Sequence, residues 1–197
     1  MQEQLAIERT KTAVLVMDYQ GGMSNRPDGE VLLGKAAMVL RAAREAGFTV
    51  IYVVVRFREG YPEVSSRNKT FSNLMLQRRL REGTPEGDVH PGIAPQPGDI
   101  VVVKRRTGAF STTDLDAILR AKNIDTLVLF GIATGGVVLS TVRWGADLDY
   151  RMVVLSDCCA DGDEEVHRVL VQKVFPRQAT VMESQNFVGL VEGALLH

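Results

Sequence analysis

Two charged residues stand where apolar runs end. Asp18 closes "AVLVMD" and Lys104 closes "DIVVVK". A carboxylate at the end of such a run is costly unless something pairs or hydrogen-bonds it. An ammonium carries the same penalty, so the two charges are expected to converge as an ion pair with acid–base capacity. A buried pair that only fixes loops is the simpler alternative.

The stretch 128–141, "VLFGIATGGVVLST", has the form of a strand, a small-residue turn and a helix. Such turns often carry a nucleophile or cradle a phosphate, and this one fits neither pattern. Gly131 and Gly136 have P-loop spacing, but Val137 and Val138 follow instead of Lys and Ser or Thr. Ile132 and Ala133 break the dinucleotide fingerprint, and no serine sits in a nucleophile elbow. Backbone N–H groups at Ala133, Gly136 and Val137 could still bind or polarise an anionic oxygen.

The elements that must position these residues follow from periodicity. Apolar runs Ala13–Asp18, Thr49–Val55, Asp99–Lys104, Thr126–Gly131 and Tyr150–Asp157, with a short "ATVMES", read as strands. Helical spacing covers Glu30–Ala46, closed by Gly47, then "TTDLDAILRAKN" capped at Thr112 or Thr113, Val137–Leu148, Asp163–Val174 and the C-terminal segment. Continuous apolar strands imply burial on both faces and hence a parallel sheet. The alternation predicts one α/β domain over residues 1–197, a three-layer α/β/α sandwich with a six-stranded, mostly parallel sheet. The irregular stretch Arg56–Gly98 is long enough to form a binding surface.

Composition narrows the function classes. The 197 residues carry a net charge of −1, which gives no general attraction to nucleic acid or acidic membranes. No apolar run reaches the roughly 20 residues of a membrane span. The start "MQEQLAIERT" has no apolar signal core, and the two cysteines, Cys158 and Cys159, are neighbours that rarely bridge. A cytoplasmic protein is expected, with both thiols as small buried residues. The three histidines, His90, His167 and His197, are too dispersed for a ligand set, so neither metal nor cofactor is predicted.

"AVLVMDYQ", "VVVKRRTGAF", "FGIATGGVVLST" and "VVLSDCCAD", in this order over about Thr12–Glu183, resemble the isochorismatase-like, or cysteine hydrolase, superfamily. The resemblance implies a six-stranded parallel α/β/α fold, a catalytic Asp, Lys and Cys, and a cis peptide at Ile132–Ala133. It assigns Asp18 and Lys104 to the first two catalytic roles. The cysteine position falls on Val137, which cannot attack a carbonyl. The metal set that nicotinamidases carry after the second strand is replaced by "VRFREGYPE".

Family members that work without cysteine hydrolyse a vinyl ether by acid catalysis. That chemistry needs an acid, a water and anion anchors. The resemblance therefore implies a hydrolase of a small, anionic molecule with Asp18 as acid and no thiol. Arg56, Arg58 and Arg67 could anchor carboxylates, because the guanidinium fork suits them. Tyr19, Tyr61 and Phe71 could wall the pocket. A catalytically lapsed binding protein on the same fold, and a C–N hydrolase using water activated by Asp18, stand as alternatives. Thr134 corresponds to a non-catalytic family position. The family commonly forms homodimers or homotetramers, and Trp144 could contribute to such an interface or to the core.

Overall fold

A computed structural model describes residues 7–195. The N-terminal six residues and His197, both considered above, lie outside that range. Six strands form one sheet: β1 (Thr12–Met17), β2 (Thr49–Val55), β3 (Ile100–Lys104), β4 (Thr126–Gly131), β5 (Arg151–Leu155) and β6 (Thr180–Met182). Their order is β3-β2-β1-β4-β5-β6, and every neighbouring pair is parallel. The expectation of a mostly parallel sheet is therefore met by a wholly parallel one. All residues of β1 and β4 are buried, as central strands covered on both faces must be.

Helices α1 (Gly29–Glu45), α2 (Lys69–Leu76), α3 (Leu115–Ala121), α4 (Leu139–Asp147), α5 (Glu164–Val169) and α6 (Ser184–Leu195) connect or follow the strands. Right-handed crossovers set α1 on one face and α3, α4 and α5 on the other. The last helix, α6, returns to pack beside α1. Gly47 ends α1 with φ +74°, a left-handed position that glycine adopts without steric cost.

Several boundaries differ from the periodicity, each for a local reason. The fifth strand stops at Leu155, because Asp157 turns aside to accept hydrogen bonds from Ser184 N (2.7 Å) and Ser184 Oγ (2.8 Å) at the start of α6. The helix expected from Val137 begins at Leu139, after a wide turn over Thr134–Val138. The helix expected over Asp163–Val174 is regular only to Val169 and then widens over Leu170–Val174, ahead of Pro176. Asp163 caps its start, accepting from Glu165 N at 2.8 Å.

The irregular stretch contains α2, capped by Asn68, whose side chain accepts from Phe71 N at 3.0 Å. Below α2 sits a small apolar cluster of Val55, Phe57, Tyr61 and Phe71, separate from the main core. No helix among the described residues is long and apolar enough to cross a membrane.

Candidate active site

The strand order reverses direction between β1 and β4. In open parallel sheets a ligand crevice forms at that point, beyond the carboxyl ends of the strands. Register fixes what stands there: Met17 pairs with Gly131 and Val55 with Lys104. Asp18 is one residue past β1, with φ +58°, and its N–H donates to Val53 O at 2.8 Å. A non-glycine residue in this region costs about 1–2 kcal/mol, so the surrounding structure must hold it there.

Asp18 and Lys104 meet. Lys104 Nζ lies 2.8 Å from Asp18 Oδ2, with the side chains 3 % and 14 % exposed. β2 lies between their strands, so the pair spans about 10 Å of sheet, twice the interstrand spacing. The four-carbon stem of lysine bridges that gap. Lys104 Nζ also donates to Arg106 O at 3.2 Å. Among the described residues Asp18 Oδ1 is buried without a hydrogen-bond partner. Burial pushes the Asp18 carboxyl above its ordinary range, and Lys104 opposes that shift without cancelling it. The Val55 backbone N–H pulls in the same direction as Lys104, and burial still prevails, so the group can hold a proton.

The turn after β4 stands beside the end of β1, next to Asp18. The Ile132–Ala133 peptide is cis, as the family resemblance implies. Ile132 N donates to Met17 O (3.2 Å), Thr134 N to Ala160 O (2.8 Å) and Gly135 N to Asp161 Oδ2 (2.6 Å). Ala133 N–H makes no hydrogen bond among the described residues. Val137 is buried and packs over Gly131. A Cβ on Gly131 would stand 3.2 Å from Val137 Cγ1 and 2.8 Å from Met17 O, so only glycine allows β1 and the turn to approach this closely. The loop after β3 packs on the same turn: Ala109 N donates to Thr141 Oγ1 (3.2 Å), which donates to Val137 O (2.7 Å).

The other candidates are distributed around this centre. Tyr19 is buried, its hydroxyl donating to Cys158 O at 2.7 Å. Arg56 donates to Gly87 O (2.8 Å) and pairs with Asp88 (3.0 Å), which pins the loop after β2. Arg58 pairs with Glu63 at 2.5 Å. Arg67 has no acidic partner among the described residues. Tyr61 and Phe71 belong to the apolar cluster under α2, with the Tyr61 hydroxyl on Arg79 O at 2.7 Å. Gly136 lies at the middle of the wide turn. Trp144 is 48 % exposed and stacks on Phe110 with ring centroids 6.4 Å apart.

Both cysteines are buried. Burial pushes the Cys158 thiol far up and Cys159 to about 12, so neither forms a thiolate readily. His90 Nδ1 accepts from Gly92 N at 3.1 Å.

Gln20 and His167 take positioning roles that residue type alone does not announce. Gln20 is buried and clamps the end of β2: its Nε2 donates to Val55 O (2.9 Å) and Gly87 O (2.7 Å), and its Oε1 accepts from Val55 N (2.9 Å). Its place two residues after Asp18 was the available signal. His167 Nδ1 lies 2.8 Å from Thr134 Oγ1 and ties α5 to the turn. Thr134 is fully buried, so its hydroxyl serves the turn. A cavity of about 580 Å³ opens beside it, lined by Asp28, Cys159, Ala160, Asp161 and His167 among others; Asp18 and Lys104 do not line it.

Comparison with known proteins matches this arrangement to one family. The ureidoacrylate amidohydrolase of Stutzerimonas stutzeri is 32 % identical over 212 residues, covering 96 % of this chain and 82 % of its own. Among solved structures, a cysteine hydrolase from Pseudomonas syringae pv. phaseolicola superposes with a TM-score of 0.86 at 26 % identity, over 98 % of this chain and 100 % of the other. N-carbamoylsarcosine amidase from Thermoplasma acidophilum gives 0.75 at 28 % identity, over 88 % and 96 %. Residues 12–186 match the isochorismatase domain. The chain belongs to the isochorismatase family and is an isochorismatase-like hydrolase.

Proposed function

We propose that this hydrolase acts on a small anionic molecule without a thiol nucleophile, with Asp18 moving the proton and water adding to the reacting carbon. One observation carries the reading: Asp18 Oδ1 is buried with no hydrogen-bond partner among the described residues, while Oδ2 is held by Lys104. In the family resemblance Val137 occupies the cysteine position, so the turn supplies packing and backbone dipoles only.

The reaction that fits is vinyl-ether hydrolysis. Protonated Asp18 delivers its proton to the terminal vinyl carbon, and an oxocarbenium ion forms. Lys104 stabilises the carboxylate left behind. Water adds to the cation and returns a proton to Asp18. The hemiketal then collapses to a ketone and an alcohol. Arg67, whose guanidinium meets no described acid, is the proposed anchor for a substrate carboxylate.

A second reading draws on the names of the relatives, an amidohydrolase and an amidase. In it, ionised Asp18 takes a proton from water as the water attacks a ureido carbonyl polarised by Ala133 N–H; the tetrahedral intermediate then breaks its C–N bond, and the leaving amine takes the proton back from Asp18.

The test assays wild type and Asp18→Asn on enol ethers of pyruvate and on N-carbamoyl amino acids. Enol-ether turnover that falls by about 10²–10⁴ in Asp18→Asn and resists thiol alkylation is the expected result. Turnover confined to the N-carbamoyl compounds selects the second reading. Turnover of neither class leaves a binding protein on a hydrolase fold.

A further inference from the structure

The side chain of Gln20 replaces a rung of the sheet. β1 and β2 run parallel with Met17 opposite Val53, and Asp18 N donates to Val53 O at 2.8 Å. In a regular parallel ladder the next bonds would join the N–H and C=O of Val55 to main-chain groups of the chain beyond Met17. The left-handed backbone of Asp18, φ +58°, takes the chain out of that ladder. The main chain pairs with the loop after β2 instead: His90 N donates to Tyr19 O at 2.9 Å and Gly21 N to Asp88 O at 3.1 Å. Gln20 then serves Val55 with its amide. Oε1 accepts from Val55 N at 2.9 Å, and Nε2 donates to Val55 O at 2.9 Å and to Gly87 O at 2.7 Å. The residue is 4 % exposed.

Val55 N–H thereby faces two acceptors. It hydrogen-bonds Gln20 Oε1, and its pull is also felt by the Asp18 carboxyl. A buried N–H needs an acceptor, and a carboxylate is a stronger one than an amide. With the amide in place, Val55 N–H is satisfied and Asp18 Oδ1 has no hydrogen-bond partner among the described residues. The charged and titratable groups nearby are committed. Lys104 Nζ holds Asp18 Oδ2 at 2.8 Å, Arg56 pairs with Asp88 at 3.0 Å, and the Tyr19 hydroxyl donates to Cys158 O.

We propose that Gln20 is a positioning residue for Asp18: its amide occupies the Val55 N–H, keeps that donor from closing on the Asp18 carboxyl, and leaves Lys104 as the one side chain that holds it. The consequence is chemical. A second full hydrogen bond would favour the carboxylate over the acid. By withholding it, Gln20 keeps Asp18 a weak enough acid to carry a proton to the substrate. This role in turnover rests on the reading of Asp18 as the group that moves the proton, and it requires no contact between Gln20 and the substrate.

The test reads Asp18 directly and needs no substrate. The full chain, carrying a carbon isotope label at its aspartate carboxyls, is titrated with acid and followed by NMR, and Asp18→Asn identifies the Asp18 signal by its loss. Gln20→Met keeps the length of the side chain and removes the amide. Val55 N–H should then turn to Asp18, whose proton affinity is expected to fall at least about tenfold. Gln20→Glu loses the amide donor as well but keeps an acceptor for Val55 N–H, so the proton affinity of Asp18 should not fall. A Gln20 that only fastens the loop to β2 predicts no fall in Gln20→Met. On any substrate that Asp18 protonates, the alkaline limb of kcat should move to lower pH in Gln20→Met together with the NMR titration.

If Gln20→Met does not fold, wild type decides the matter. A scalar coupling through the hydrogen bond from Val55 N to Gln20 Cδ, with none to Asp18 Cγ, is the expected NMR result. Coupling to Asp18 Cγ, or none to Gln20 Cδ, overturns the proposal. So does an Asp18 titration that stays put in Gln20→Met or falls equally in Gln20→Glu, whether or not enol ethers turn over. The expected titrations in a protein that turns over no enol ether uphold the placement of Gln20 and remove the proposed reaction instead.

Discussion

Lys104 Nζ holds one oxygen of Asp18 at 2.8 Å and leaves the other buried, with no hydrogen-bond partner among the described residues. A buried pair of this kind contributes little net stability, yet breaking it is expensive. Lys104→Met is expected to destabilise the fold by about 3–5 kcal/mol, because it strands an uncompensated buried carboxylate. The double variant Asp18→Asn with Lys104→Met should recover a large part of that loss while staying inactive. Urea unfolding of wild type, both single variants and the double variant measures the coupling. Additive losses across that cycle would show that the two side chains do not depend on each other.

The same carboxyl sets the pH dependence. Its pKa is raised above 3.8, chiefly by burial and against the pull of Lys104. Unfolded Asp18 therefore ionises at lower pH than the folded group. The favourable contribution of folded, protonated Asp18 is complete below 3.8 and declines as pH rises through the folded value. As an acid, Asp18 should give a kcat that falls on the alkaline side of that value. As a base toward water, it should give a kcat that rises through the same value. A pH–rate profile on the substrate that turns over separates the two, and Asp18→Asn should erase the limb.

Gly131 tests the closeness of β1 to the turn. Its added Cβ would stand 2.8 Å from Met17 O and 2.9 Å from Met17 Cβ, both fixed in the central strands. Gly131→Ala is therefore expected to cost about 1–3 kcal/mol and to move the turn away from Asp18, with a loss of turnover. Gly34→Ala is the contrasting case. It lies in α1 with nothing within 4 Å of its added Cβ, and should raise stability by up to about 1 kcal/mol. Thermal melts of the two variants should shift in opposite directions.

These relationships were unequally legible in the sequence. Thr49–Val55 and Thr126–Gly131 are strands over the residues that periodicity marks, because a strand buried on both faces needs an unbroken apolar run. The meeting of Asp18 and Lys104 was readable for a related reason: a charge that ends such a run needs a partner. Helix α2 was not readable, because Phe71 serves a small cluster under one loop and no extended apolar stripe marks the helix. The arginine placements were hidden too. Arg56 donates to Gly87 O across 31 residues of chain, and Thr134 meets His167 across 33. Residue type announces that such a group needs a partner, and only the folded path of the loop decides which.

Asp157 carries the remaining prediction, which concerns acid stability. Burial alone would raise its pKa, but two hydrogen bonds from Ser184 and the ion pair with Lys35 at 3.0 Å outweigh burial and hold it below the ordinary 3.8. A carboxylate with a depressed folded value contributes stability above its unfolded value and loses it as pH falls through the folded one. Because these contacts fasten the start of α6 to the end of β5, Asp157→Asn is expected to cost about 0.5–2 kcal/mol near neutral pH. The gap to wild type should close as pH falls below 3.8 and through the depressed folded value, where the wild-type carboxylate takes up its proton as well. Melting curves of both proteins across that range check the sign: a gap that persists unchanged into acid would show that Asp157 holds α6 by shape alone and not by its charge.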